Sequence, residues 1–145
     1  MDAIGILEKD HKDAKQVMEE ISRSSGEKKK KLFDALKREL EMHDAIEETI
    51  FYPSVLANAK TLSLPAQDKK AHKVVEAALA ELAKLPVDDP TWNRNFNAMQ
   101  DKLFKHVADE ESIFFVKIRE VLSATELVEL GEKMKSEKEK QLYAV

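Results

Sequence analysis

No cysteine occurs anywhere in the 145 residues, so disulfides, thiolate zinc sites, iron–sulfur clusters and cysteine nucleophiles are all excluded. Glycine and proline are scarce, at three and four, which leaves little material for a loop-rich or all-β fold. No apolar run reaches the length of a membrane span, which argues against a membrane partner. The start, Met1 to Asp10, lacks both the basic residues and the apolar run of a signal peptide. Positive charge is not in excess: the net charge is -4, which argues against nucleic acid as the main partner. What is abundant is charge of both signs, 36% of residues, interleaved as on the outer faces of long helices. The expectation is one soluble cytoplasmic domain, 1–145, monomeric and long enough to bury a core.

Apolar periodicity predicts four main helices. The first starts after Asp2, a good N-cap, and ends before Gly26, with Ile4, Leu7, His11, Ala14 and Ile21 on its stripe. The second runs over about 27–57, with Pro53 expected to kink it or end its regular part. Its basic run, Lys28 to Lys31, reads as a solvated face. A loop over Asn58 to Leu64 leads to Pro65 and a third helix over 65–85, which turns His72, Val75, Glu76 and Leu79 inward. Asp89 and Pro90 open a fourth helix over 90–122. Ser123-Ala124-Thr125-Glu126 is a capping box for a short fifth helix over 124–140. The fold class expected is all-α: an antiparallel up-down-up-down four-helix bundle with a short C-terminal helix.

The chemistry lies in a stretch that the chain carries twice. Leu40 to Tyr52 and Leu103 to Phe115 both read L-x-x-H-x-x-x-E-E-[ST]-I-F-[FY]. Positions i, i+3, i+7 and i+10 share a helix face, so Leu, His, the first Glu and Ile are expected to form one inward stripe. An unpaired carboxylate buried there costs several kcal/mol or takes up a proton, so the pattern asks for a buried cation. Any single histidine on an apolar face is usually a satisfied core residue. Here each of the four histidines falls on the stripe of a different helix, and Glu47, Glu76 and Glu110 each stand one turn beyond one of them. A metal-free network of buried polar groups is the weaker explanation, because half-satisfied networks are costly. Four imidazoles and three carboxylates are too many ligands for one first-row ion and suit two, about 3.5–4 Å apart. Nitrogen and oxygen donors without sulfur favour iron or manganese, with zinc less exclusive. Ferritin-like di-iron proteins place the carboxylate first with spacing three; this chain places histidine first with spacing four.

His11, His43-x-x-x-Glu47, His72 and His106-x-x-x-Glu110, in that order over nearly the whole chain, resemble the hemerythrin-like, or HHE cation-binding, domain. The resemblance implies two non-haem iron ions, oxo- or hydroxo-bridged, with manganese or zinc as substitutes. It implies that Glu47 and Glu110 bridge them, that His11 and His43 serve one iron, and that His72 and His106 serve the other. Leu103 and Val107 would line the oxygen pocket. The oxygen-carrying members have a fifth histidine one turn after the third-helix histidine. Here that place is Glu76, which is expected to be a ligand and to make the site more anionic, favouring the ferric state. Glu48 and Glu111 follow the bridging residues and are read as surface groups or as partners of the ligands. Tyr52 and Phe115, at matching positions, are read as core packing.

Three functions remain open: a binding protein for O2 or NO, a sensor of iron or redox state, and a di-iron oxidase or peroxidase. No substrate pocket beyond the centre is visible in the sequence, and no output domain is expected beside it. Reversible binding of O2 or another small gas is therefore the expected function, in preference to catalysis.

Overall fold

A computed structural model of the chain describes residues 1–58 and 64–143. Helix α1 spans Ala3–Ser22, and the Asp2 side chain accepts from Gly5 N–H at 2.8 Å, satisfying one of its free amides. Gly26, at φ 60, takes the left-handed turn that starts the next helix, a conformation costly for any other residue. Helix α2 (26–58) is continuous but not uniform. It is α-helical over Gly26–Ile46, π-helical over Glu47–Phe51 and α-helical again over Tyr52–Asn58. The loop expected over Asn58 to Leu64 falls mainly outside the described residues, and α3 spans Leu64–Ala83. Helix α4 (90–121) repeats the build of α2, with Pro90–Asp109, a π-helical Glu110–Phe114 and Phe115–Val121. Asp89 caps it by accepting from Thr91 N–H at 2.8 Å. The last helix, α5, covers Ala124–Tyr143. Ser123 and Glu126 exchange backbone-to-side-chain hydrogen bonds at its start, 2.9 and 3.1 Å, which is the capping box.

Helices α1 to α4 form the antiparallel four-helix bundle, and α5 lies across α1 and α2. Gly131 lets it approach, since a Cβ there would stand 2.9 Å from Ala3 N. The core falls into two apolar clusters. One holds Ile21, Phe33, Leu36, Leu79, Trp92 and Phe96 at the end near the α1–α2 turn. The other gathers Ile4, Leu7, Phe51, Phe115 and Ile118 with Leu127, Leu130 and Met134 of α5. Burying each of these side chains stabilises the fold by about 1.5–3 kcal/mol. The histidines fall between the clusters in sequence: His11 lies between Leu7 and Ala14, and His43 between Leu40 and Ile46. A polar layer is thereby walled off from water on both sides.

Three expectations need correction. The inward stripe does not continue to the isoleucine of each copy: Ile113 is 43% exposed and Ile50 half-buried, while Phe51 and Phe114 are buried. The π-helical turn is the cause. It admits an extra residue, seen where Tyr52 N–H bonds Glu47 O and Phe115 N–H bonds Glu110 O, five residues back. Pro53 does not end the helix, and the second copy makes the same turn with Val116 in the matching place. Within the basic run Lys29 is buried; it donates to Asn93 at 2.6 Å and lies 4.7 Å over the Trp92 ring.

Candidate metal centre

Each π-helical turn begins at the glutamate that follows its histidine by four. The two carboxylates, Glu47 and Glu110, are fully buried and meet in the polar layer. Glu47 Oε1 lies 3.0 Å from His43 Nε2 and 3.1 Å from His72 Nε2, so it spans α2 and α3. Glu110 lies 3.0 Å from His11 Nε2 and 3.6 Å from His106 Nε2, spanning α1 and α4. Nitrogen and oxygen atoms of Glu47, Asp68, His72, His106 and Glu110 all fall within 4.8 Å of one another. A second group, His11, His43 and Glu110, shares Glu110 with the first, and a third, His43, Asp44 and Glu47, shares Glu47.

Asp68 and Asp44 were not anticipated. Asp68 stands one turn before His72, its carboxylate 3.1 Å from His72 Nε2 and 3.2 Å from His106 Nε2. The only sequence signal was a carboxylate spaced four residues from His72 on the N-terminal side. Glu76, the mirror position on the C-terminal side, is half-buried and belongs to none of the donor groups among the described residues, although its charge reaches Asp44. The third carboxylate of the cluster is thus Asp68.

The donors face one another without satisfying one another. Both oxygens of Asp68, Glu47 Oε2, Glu110 Oε1 and His106 Nε2 are buried and make no hydrogen bond, although several approach to 3.0–3.2 Å. Such atoms direct lone pairs into a common space, an arrangement costing about 1–3 kcal/mol per group unless a cation occupies it. The electrostatics agree. Burial, with the negative charges of Glu47 and Glu110, pushes Asp68 well above the usual carboxylate range. Burial and the Glu47 and Glu76 carboxylates raise Asp44 to about 7 against the opposing histidines. Burial and the neighbouring imidazoles lower His106 to about 4, keeping it neutral and able to donate a lone pair. A hard cation site of mixed oxygen and nitrogen donors fits this set.

The imidazole rings of the cluster are held from behind. His43 Nδ1 donates to Asp10 at 2.9 Å, and Asp10 accepts in turn from Lys138 of α5 at 2.6 Å. His11 Nδ1 pairs with Glu111 at 2.7 Å, and its ring stacks on Phe115, 6.1 Å between centres. Glu111 therefore orients the His11 ring rather than facing solvent alone, while Glu48 stays 3.8 Å from His72 Nδ1. Such contacts fix which nitrogen faces a metal. Tyr52 does more than pack: its buried hydroxyl donates to Glu110 Oε2 at 2.9 Å, and burial beside Glu47 and Glu110 keeps the phenol protonated.

A cavity of about 240 Å³ opens beside the cluster, walled by Ala14, Met18, Leu40, Leu103 and Val107 and floored by His11, His43 and His106. Leu103 and Val107, expected at the oxygen pocket, lie in its wall, while its extent and its other walls were not read from the sequence. Periodicity shows which face is apolar and cannot show where facing side chains fail to meet.

The profile of the Hemerythrin HHE cation binding domain matches residues 2–118. A crystal structure of an HHE cation binding domain-containing protein, the Rv2633c homolog from Mycobacterium kansasii, superposes with a TM-score of 0.85 at 31% identity, covering 97% of this chain and 86% of that one. The uncharacterized protein Rv2633c of Mycobacterium tuberculosis is 28% identical over 137 residues, covering 92% of this chain and 83% of its own. Mb2666c of Mycobacterium bovis matches to the same extent. Among the described residues, no helix is long and apolar enough to cross a membrane.

Proposed function

The chain belongs to the hemerythrin HHE cation-binding family, and on that premise we propose that its buried cluster holds two iron ions and binds O2 or NO. The observation that carries the reading is the convergence of buried, unsatisfied carboxylate and imidazole atoms on one space. In this assignment Asp68, His72 and His106 serve one ion and His11 and His43 the other, with Glu47 and Glu110 shared between them. Ferrous ions, if held by these residues, would supply the electrons that a bound diatomic ligand takes up. Glu76 is left outside the ligand set.

The protein's own groups do the rest. Asp10 and Glu111 hold the Nδ1 protons of His43 and His11, so both rings offer Nε2 inward. Tyr52 keeps its own hydroxyl proton and donates it in a hydrogen bond to Glu110 Oε2, within reach of the cluster. Leu103 and Val107 present an apolar wall beside His106, which excludes water and admits a neutral gas. A second reading, a di-iron oxidase or peroxidase, is favoured by Asp68, since a third carboxylate stabilises the more highly charged oxidised ions.

Anaerobic loading with ferrous iron, metal analysis and optical spectra on mixing with O2, NO or peroxide test the proposal. Two iron per chain and a reversible spectral change with O2 or NO are expected. Fewer than two iron, or no response to either gas, overturns it. Turnover of peroxide with no reversible gas complex selects the second reading.

A further inference from the structure

The cavity beside the cluster is far larger than a gas ligand requires. A diatomic molecule needs about the space of one water, roughly 30 Å³, and an apolar cavity of about 150 Å³ accepts benzene. This one measures about 240 Å³. Its walls are Ala14 and Met18 of α1, Leu40 of α2, and Leu103 and Phe104 of α4, and three imidazoles of the centre form its floor. A gas channel alone gives no reason for a space of this size in a core that otherwise packs closely. The lining also indicates what it suits. Lys138 is already paired with Asp10 at 2.6 Å and is not free for an anionic headgroup, whereas the apolar side chains offer a neutral molecule surface to bury on entry. The roof is Lys138 and Leu142 of α5, a helix beyond the residues matched by the family profile.

We propose that this cavity is a binding site for a neutral apolar organic molecule of about one aromatic ring, seated against the imidazoles of the metal centre. The inference goes beyond gas binding, and only its iron arm rests on the di-iron reading.

The test is ¹⁹F NMR titration of fluorobenzene into protein loaded with iron and, separately, with zinc, after metal analysis of both. Saturable binding of one probe per chain is expected in each form, with the bound signal broadened much more by iron than by zinc. Ala14→Phe fills the cavity and should weaken binding about tenfold or more at unchanged metal content. Should Ala14→Phe fail to fold, Met18→Ala decides: it enlarges the cavity and should admit 1-fluoronaphthalene about tenfold more tightly than the unaltered chain does. Non-saturable binding overturns the proposal, as does equal broadening by the two metals. So does binding that neither variant changes. Failure to take up iron with intact probe binding to the zinc form overturns the di-iron reading and leaves the cavity assigned.

Discussion

Asp68→Asn should change sign with metal. In the metal-free protein both Asp68 oxygens are buried without a hydrogen bond and face Glu47 and Glu110. Folding therefore forces a proton onto this carboxyl. Its folded pKa lies above its unfolded one, so the unfolded chain ionises first, and stability is lost as pH rises from about 4. Asparagine has the same shape, carries no charge and offers N–H donors to the carboxylates around it. Relieving one unsatisfied buried group is worth about 1–3 kcal/mol. For a chain of this size that raises the melting temperature by roughly 2–10 °C. With metal present the sign reverses, because an anionic ligand is gone. If ion affinity falls about 10–100-fold, the loaded protein loses about 1.4–2.8 kcal/mol. Calorimetry at pH 7 with chelator, and again with excess ferrous iron under argon, measures both. A change of the same sign in the two states refutes the reasoning, and so does a gain in the chelated protein that fails to shrink toward pH 4.

Glu76→Ala should leave metal content unaltered and stability within about 0.5 kcal/mol; loss of an ion from this variant would return Glu76 to the ligand set. Lys138→Met removes one of the two groups that hold Asp10 behind His43, and should lower metal affinity about tenfold while exposing α5 to protease. Affinity and protease resistance both unchanged would mean that the contact positions nothing. Gly131→Ala adds a methyl 2.9 Å from Ala3 N. It should destabilise by about 1–3 kcal/mol despite alanine's better helix propensity, and a higher melting temperature would show that α5 docks less closely than described.

How much could be read from the chain alone follows from what periodicity encodes. A residue's position in the 3.6-residue repeat tells which face of a helix it occupies, and burial selects the apolar face. His11, His43, Glu47, His72, His106 and Glu110 were therefore legible as inward residues, and with them the bundle and its polar layer. Periodicity does not encode height along the bundle axis. Asp68 and Glu76 stand one turn either side of His72 and share its face, and the axial setting of α3 against α2 and α4 brings Asp68 to the level of Glu47 and Glu110. Nor does it announce a change of pitch: the π-helical turns at Glu47–Phe51 and Glu110–Phe114 move the buried position from isoleucine to phenylalanine. Contacts between residues far apart in the chain were decided only by tertiary packing. Lys138 reaches Asp10 across 128 positions, and that pair stands behind His43. The cavity is of the same kind, since a gap between four helices exists in none of them singly. Local sequence determined which residues face inward; the depth at which neighbouring helices pack decided which of them meet.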